Sequence, residues 1–334
     1  MPDSAELLWG AVGDISRFAA LLTMAELGLA DHLADGPLGA GELAGRCGAH
    51  APSLRRVLRE LAAMGLVGRA GADAYELTEK GAALRSGTPG SVRSSIRMLG
   101  EEGFWYAMGM LPATVRDGGS AFVKRYGHLY DHLAANPALS GMFNDYMSGR
   151  AVPITEGLPA AYDFSAARTL VDVAGGQGHI LATVLGANPH MRGVLFDLEH
   201  VVDGARRTLA AAGLADRSEV VAGDFFSGVP AGADVYLLAS VLHNWDDEDA
   251  VTILRNVRAA MDPGGRVLVI EVVLPDGDEP HLGKDIDMRM LAFFDGGTER
   301  GRAEYAALLD RAGLALTAVA ALGSGASLVE AERR

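Results

Sequence analysis

The stretch Val171-Asp-Val-Ala-Gly-Gly-Gln-Gly178 decides how the rest of the chain is read. The apolar run Thr169–Ala174 has the composition of a buried strand, and it stops on glycines that open a helical pattern. Glycine at a strand–helix junction lets backbone approach a ligand in the crevice beyond the strand ends. Such a turn has several owners. The dinucleotide fingerprint G-x-G-x-x-G can be begun at Gly176 and Gly178, but its third glycine falls on Leu181. No G-x-x-x-x-G-K-S/T occurs, so nucleoside triphosphate chemistry loses its main support.

Beyond the motif, short β-rich runs alternate with helical ones, the mark of a doubly wound α/β domain. Gly193–Asp197, Glu219–Ala222, Asp234–Ala239 and Arg266–Val273 join the first run as parallel strands. Two late runs, Leu314–Ala321 and Ser327–Ala331, flank Leu322-Gly-Ser-Gly-Ala326, a loop short enough for an antiparallel pair. The stretch Gly100–Tyr162 reads as helical, with Phe104, Trp105, Met108, Met110, Phe143, Tyr146 and Met147 interspersed. Those side chains suit a domain core or a planar ligand equally.

The residues before it read as helices with one small β element. Ser16–Leu33 is apolar at helical spacing (Phe18, Leu21, Leu22, Ala25, Leu29) and calls for a partner such as a second subunit. Gly41–Cys47 and Ser53–Met64 follow, with Ser53 as N-cap. Leu66–Arg69 and Ala74–Leu77 flank the turn Gly71-Ala-Asp73. Helix, helix, hairpin is the order of a winged helix. The expected organisation is an N-terminal domain over 1–98, connecting helices over 99–165, and the sheet domain over 166–334.

Arg55, Arg56 and Arg59 lie on what would be a recognition helix, which raises a DNA-binding reading. The net charge of −14, from 29 basic and 43 acidic residues among 334, opposes it and opposes an anionic membrane as partner. Hydrophobic residues at 49% supply ample core. Cys47 is the only cysteine, so an internal disulfide and a thiolate metal cluster are both excluded. The opening MPDSAELLWGAVGDISRF lacks a basic stretch followed by an apolar core, and no run of about 18 apolar residues occurs. A cytoplasmic setting is expected.

Acids stand at the ends of three successive strands. Asp172 precedes the glycines, where a carboxylate faces the cationic end of a ligand. Asp197, in Leu195-Phe-Asp-Leu198, is placed to accept bonds from ribose hydroxyls, and Asp224, in Gly223-Asp-Phe-Phe226, to bond an adenine amino group. Any one of them serves equally as a cap or turn residue. Together they imply a ligand with an amino group, a ribose and an adenine, and no phosphates. S-adenosylmethionine fits that description.

After the fourth strand comes Ser240-Val-Leu-His-Asn-Trp-Asp-Asp-Glu248. Asp246 suits the cap of the next helix, and Asp247, Glu248 and Asp249 its positive N-terminus. His243 has no such structural task and sits at the carboxyl edge, where ligands bind. A phenol of pKa about 10 is a poor nucleophile near neutrality, and an imidazole of pKa about 6.5 can take its proton. Glu271, in Val269-Ile-Glu-Val272, and Glu299, in Gly296-Gly-Thr-Glu-Arg300, are the candidates to orient that base. Hydroxyl methylation is preferred to N- or C-methylation because a base is most useful there.

These residues together resemble the plant caffeic acid O-methyltransferase family and its bacterial natural-product relatives, over nearly the whole chain. The resemblance implies a winged-helix dimerisation domain joined to a Rossmann-like class I methyltransferase domain, whose mostly parallel seven-stranded sheet has an antiparallel last strand. Asp172-Val-Ala-Gly-Gly-Gln-Gly178 resembles the family's glycine motif, with Gly175 and Gly176 in the cofactor turn. Asp197, beside Leu198, matches its ribose-binding acid, and Asp224-Phe225 its adenine contacts. His243-Asn-Trp245 is similar to its His-Asp-Trp, which implies His243 as base, Trp245 near the adenine, and Glu271 and Glu299 as flanking acids. Phe143, Met147, Met290 and Phe294 fall at the acceptor pocket.

The implied reaction methylates a small hydroxylated aromatic, releases S-adenosyl-L-homocysteine, uses no metal and runs in a homodimer. Ala174 for the first glycine, Asn244 for aspartate and Ala239 for a lysine near the cofactor are departures. Two other readings stand beside this one: hydroxylation or decarboxylation on the same fold, and a winged-helix regulator that answers to a ligand.

Overall fold

A computed structural model describes residues 4–334 except Pro89 and Ser324, and the chain divides between Trp105 and Tyr106 into two units. Met1–Asp3, part of the stretch read for a targeting signal, and Ser324, in the expected late loop, lie outside the described residues.

In the first unit the opening helix spans Ser4–Glu26, not Ser16–Leu33. It ends because Gly28 takes a left-handed conformation (φ 62°) that breaks the chain from the short helix Leu29–His32. Met24, Ala25, Leu29, Ala30 and Leu33 fill this unit's own core with Leu43, Leu58, Leu61 and Tyr75. The apolar stretch read as a subunit surface is therefore largely spent inside the protomer. Exposed apolar residues lie earlier, at Leu8, Trp9, Val12 and Ile15.

Helices Ala40–Cys47 and Ala51–Ala63 precede an antiparallel sheet of order β1-β3-β2, made by β1 (Leu38–Gly39), β2 (Val67–Arg69) and β3 (Ala74–Leu77). The second helix starts earlier than its reading. His50 holds the N-cap position and Pro52 fits the first turn, where its missing N–H costs nothing; Ser53 Oγ instead meets His50 Nδ1 at 3.0 Å. Arg55 forks onto Asp73 of the β2–β3 turn at 3.0 and 2.8 Å, so the supposed recognition helix spends that charge within its own unit.

The second unit holds the large sheet. Its strands are β4 (Thr169–Val173), β5 (Arg192–Asp197), β6 (Ser218–Ala222), β7 (Ala233–Ala239) and β8 (Met261–Glu271). A two-residue parallel pair, β9 (Val273–Leu274) with β10 (Arg300–Gly301), precedes β11 (Leu314–Gly323) and β12 (Ala326–Arg333). The order is β11-β12-β8-β7-β4-β5-β6, and β12 alone runs against its neighbours β8 and β11. This is the class I methyltransferase sheet that the sequence leads one to expect. The chain moves outward from β4 to β6, then returns to β7 on the other side of β4, so β4 marks the switch point where ligand crevices open. No helix among the described residues is long and apolar enough to cross a membrane.

The long helix Pro137–Ala161 packs on β11 through Gly157. A Cβ there would stand 2.2 Å from the Leu322 carbonyl oxygen. Helix propensity favours alanine over glycine by about 1 kcal/mol, but forcing atoms into packed backbone costs about 1–3 kcal/mol or more. Gly157→Ala is therefore expected to lose about 1–2 kcal/mol net in urea unfolding; unchanged or raised stability would mean that the contact yields freely.

Candidate active site

The turn after β4 carries backbone strain. Ala174, although not glycine, has φ 55°, and Gly176 and Gly178 follow at 58° and 78°. A left-handed alanine costs about 1–2 kcal/mol, and here the Ala174 N–H is held by the Phe196 carbonyl of β5 at 2.7 Å. Asp197, at the end of β5, pins the same turn: one carboxylate oxygen accepts the Gly176 N–H at 2.8 Å, the other the Leu198 N–H at 2.7 Å. Burial raises its pKa against those two bonds.

Asp172 lies beneath, 1% exposed, with Oδ2 lacking any hydrogen-bond partner among the described residues. A Cβ on Gly175 would come within 2.7 Å of that carboxyl group, so the turn and the acid share space that only glycine leaves open. Burial, with Asp197 near, pushes the Asp172 pKa up to about 7. An orphaned acid under a glycine cradle fits a ligand that brings a cation or donors of its own.

Asp224 is different. It is exposed, and its Oδ1 accepts the Phe226 N–H at 2.9 Å, which makes it the cap of its own turn. Phe225 and Phe226 both meet Trp245 edge-on, with centroids 5.8 and 4.8 Å away, so the ends of β6 and β7 share an aromatic wall.

Past β7 the backbone turns sharply at Ser240 (φ 56°) into a short 3₁₀ turn, Leu242–Asn244. The turn's N–H groups are satisfied by the acid that ends β8: Glu271 Oε1 accepts from Val241 and Leu242 at 2.9 Å each and from His243 at 3.4 Å. Its other oxygen lies 3.3 Å from His243 Nδ1. Glu299 Oε1 reaches the same nitrogen at 2.6 Å. The β9–β10 pairing explains this convergence, because Arg300 is registered against Val273 and so carries Glu299 alongside Glu271. His243, Glu271 and Glu299 are all buried.

Burial alone would lower the His243 pKa, but the charge of Glu271 and the bond and charge of Glu299 outweigh it, and the net shift is upward. Burial, reinforced by Glu299, likewise raises the pKa of Glu271. With Nδ1 bonded to Glu299 and Glu271 close beside it, Nε2 is the nitrogen left to exchange a proton. The donor atoms of these residues fall within 4.8 Å of one another, a spread that a metal ion could span. Both acids, however, converge on one imidazole nitrogen, and the 2.6 Å contact is closer than the about 3.3 Å between tetrahedral ligands of one ion. The cluster is a hydrogen-bonded relay.

Several residues that sequence reading misses complete the site. Arg300, 2% exposed, donates to the carbonyls of Leu242 and Trp245 at 3.0 and 2.9 Å and to Asp247 at 2.8 Å, which clamps the His243 turn from behind. Asp287 accepts the Glu299 N–H at 2.8 Å. Asn244, the departure without an assigned task, donates to Tyr130 at 2.8 Å. Tyr130 stacks on Trp245 and also contacts Phe143 and Phe294. It thereby links two of the expected acceptor residues to the expected adenine wall. Met290 is buried against Phe294, Val272 and Ile286, and Met147 is half-buried on the helix that carries Phe143.

Residues 108–315 match the O-methyltransferase domain family, and residues 10–86 match the O-methyltransferase dimerisation domain. The chain is similar to a phenazine O-methyltransferase of Lysobacter antibioticus, 42% identical over 313 residues that cover 93% of this chain and 91% of the other. A solved O-methyltransferase from neocarzinostatin biosynthesis, in complex with S-adenosylmethionine and 2-hydroxy-5-methyl naphthoic acid, superposes with TM-score 0.85 and 38% identity over 97% of this chain and 98% of that one. A relative of different activity, aclacinomycin 10-hydroxylase of Streptomyces purpurascens, is 38% identical over 325 residues, 96% of this chain and 87% of its own length. With family models matched in both units and relatives matched over nearly the full length, the chain belongs to the O-methyltransferase family and is an S-adenosylmethionine-dependent O-methyltransferase.

Proposed function

We propose that the enzyme methylates a phenolic hydroxyl of a small, polyketide-type aromatic intermediate in natural-product assembly, with His243 as general base. The relay His243–Glu299 at 2.6 Å carries this reading. A buried imidazole tethered at Nδ1 by acids has a fixed orientation and tautomer, and its Nε2 can receive the phenol proton. S-adenosylmethionine, when bound, supplies the electrophilic methyl group and leaves as S-adenosyl-L-homocysteine. Asp172 pairs with its amino group, Asp197 with its ribose hydroxyls, and backbone at Gly175, Gly176 and Leu198 lines its path. Asp224, Phe225 and Trp245 receive the adenine. Phe143, Met147, Met290 and Phe294 would hold the acceptor ring and orient its hydroxyl toward the methyl donor. The phenazine and naphthoic acid handled by the named relatives are planar aromatics of the size that this slot suits. The hydroxylase relative raises the rival chemistry, and the intact base with both acids favours methyl transfer here.

The exposed Leu8, Val12 and Ile15 recur at helical spacing on the first helix beside Trp9, an apolar stripe that a second copy would cover. With the dimerisation-domain match, this supports a homodimer. Sedimentation at micromolar concentration should show a dimer, and Leu8→Glu combined with Val12→Glu should yield monomers; a wild-type monomer would refute the assembly.

His243→Ala should leave cofactor binding nearly intact and lower turnover about 10²–10⁴-fold. The loss should shrink for more acidic phenols, which ionise without help. Equal loss across acceptors of graded pKa, with a lowered melting temperature, would make the histidine structural.

The pH profile follows from the sign of the shift. The base works only when neutral, and its acids raise its pKa, so kcat/KM should fall as pH drops through a midpoint above the ordinary value of 6.5. Glu299→Gln removes a raising charge, so the midpoint should move down while maximal turnover falls. A midpoint that stays in place would detach Glu299 from the base.

A further inference from the structure

Helix Pro137–Ala161 carries Phe143, Tyr146, Met147 and Arg150 at spacings of three and four, which stack them along one face. Phe143 and Met147 line the acceptor slot in the reading above, and Arg150 stands one turn further along. Its guanidinium Nη1 donates to the Tyr146 hydroxyl at 3.0 Å, with the charge 5.7 Å from that ring. That partner is a hydroxyl, and no ion pair holds Arg150 among the described residues.

Arg300 shows the contrast, since its guanidinium is engaged by Asp247 and two backbone carbonyls. Burial works against the charge of Arg150, but Tyr146, Glu299 and Glu271 are near enough to outweigh it and hold the group protonated. So a cation with unused donors stands on the helix of the expected acceptor residues, within electrostatic reach of Glu299 and Glu271. A guanidinium in that state fits a planar anion, which it grips with parallel N–H bonds.

We propose that Arg150 receives a carboxylate borne by the aromatic acceptor, so that the enzyme selects hydroxylated aromatic acids over neutral phenols. This rests on the methyl-transfer reading and names the acceptor class within it. In an enzyme of net charge −14, an anionic acceptor needs such a local cation to enter a pocket that already holds two buried glutamates.

The test is calorimetry on the protein loaded with S-adenosyl-L-homocysteine, using hydroxynaphthoic and hydroxybenzoic acids, each paired with the phenol that lacks the carboxyl group. Acids should bind about 10–100-fold more tightly than their partners, the range for a charge-assisted contact. R150M should erase most of that preference with a much smaller effect on the neutral phenols. R150K, which keeps the charge but not the fork, should retain part of it. Acids bound no better than their partners in every pair would overturn the proposal, as would equal loss of both by R150M. Loss of S-adenosyl-L-homocysteine affinity in place of acceptor preference would also overturn it, by assigning Arg150 to the cofactor's own carboxylate. Product analysis on the same pairs separates the two claims. Methylation regardless of the carboxyl group would keep the reaction and remove Arg150's role; acid-selective binding without any methylated product would keep the contact and remove the reaction.

Discussion

Glu271 joins the sheet to the chemistry. It is the last residue of β8, at the carboxyl edge of the sheet, and is 2% exposed. One oxygen gathers the N–H groups of the turn beyond β7, and the other faces the imidazole that this turn carries. A carboxylate that accepts several backbone N–H groups is hard to replace, because an apolar substitute would orphan those donors in a dry interior. The sharp backbone at Ser240 persists because this acid over-determines it. Arg300 closes the turn from the opposite side, so His243 is held between a carboxylate below and a guanidinium behind.

The electrostatics of the cluster have a simple balance. Two buried acids beside one imidazole favour its charged form, and burial disfavours it. An imidazole set this way holds a proton more tightly than free histidine. The charge of Arg150 opposes the two acids, which restrains the upward shift. The cofactor side is organised otherwise. Asp197 spends bonds on the glycine turn itself, whereas Asp172 has an oxygen without a partner among the described residues and a pKa raised to about 7.

Much of this is legible because it is local in sequence. Strands, the glycine turn and the His243 segment each declare themselves within a few residues. The N-terminal helix departs from its reading because periodicity continues through Leu29 and Leu33, while Gly28 breaks the axis without breaking the apolar pattern. Ser53 reads as a cap because its side chain suits the task; Pro52, one residue earlier, fixes the start instead. Asp224 illustrates a different difficulty, since its Oδ1 caps the turn it stands on, a bond that the sequence does not show. Arg300, Tyr130 and Arg150 leave no signal at all. Their significance comes from neighbours that only the folded chain supplies, such as Leu242 for Arg300 and Asn244 for Tyr130.

The position of β12 has a consequence for how the molecule is made. It is the last strand in sequence, yet it lies inside the sheet, bonded to β8 on one side and β11 on the other. A ribosome delivering this chain exposes β8 with one edge unpaired for as long as it takes to synthesise everything up to Arg333. Edges of that kind invite pairing with other chains, and late, long-range closure slows folding. The nascent sheet is thus most vulnerable just before β12 emerges, when a single missing ribbon separates β8 from β11.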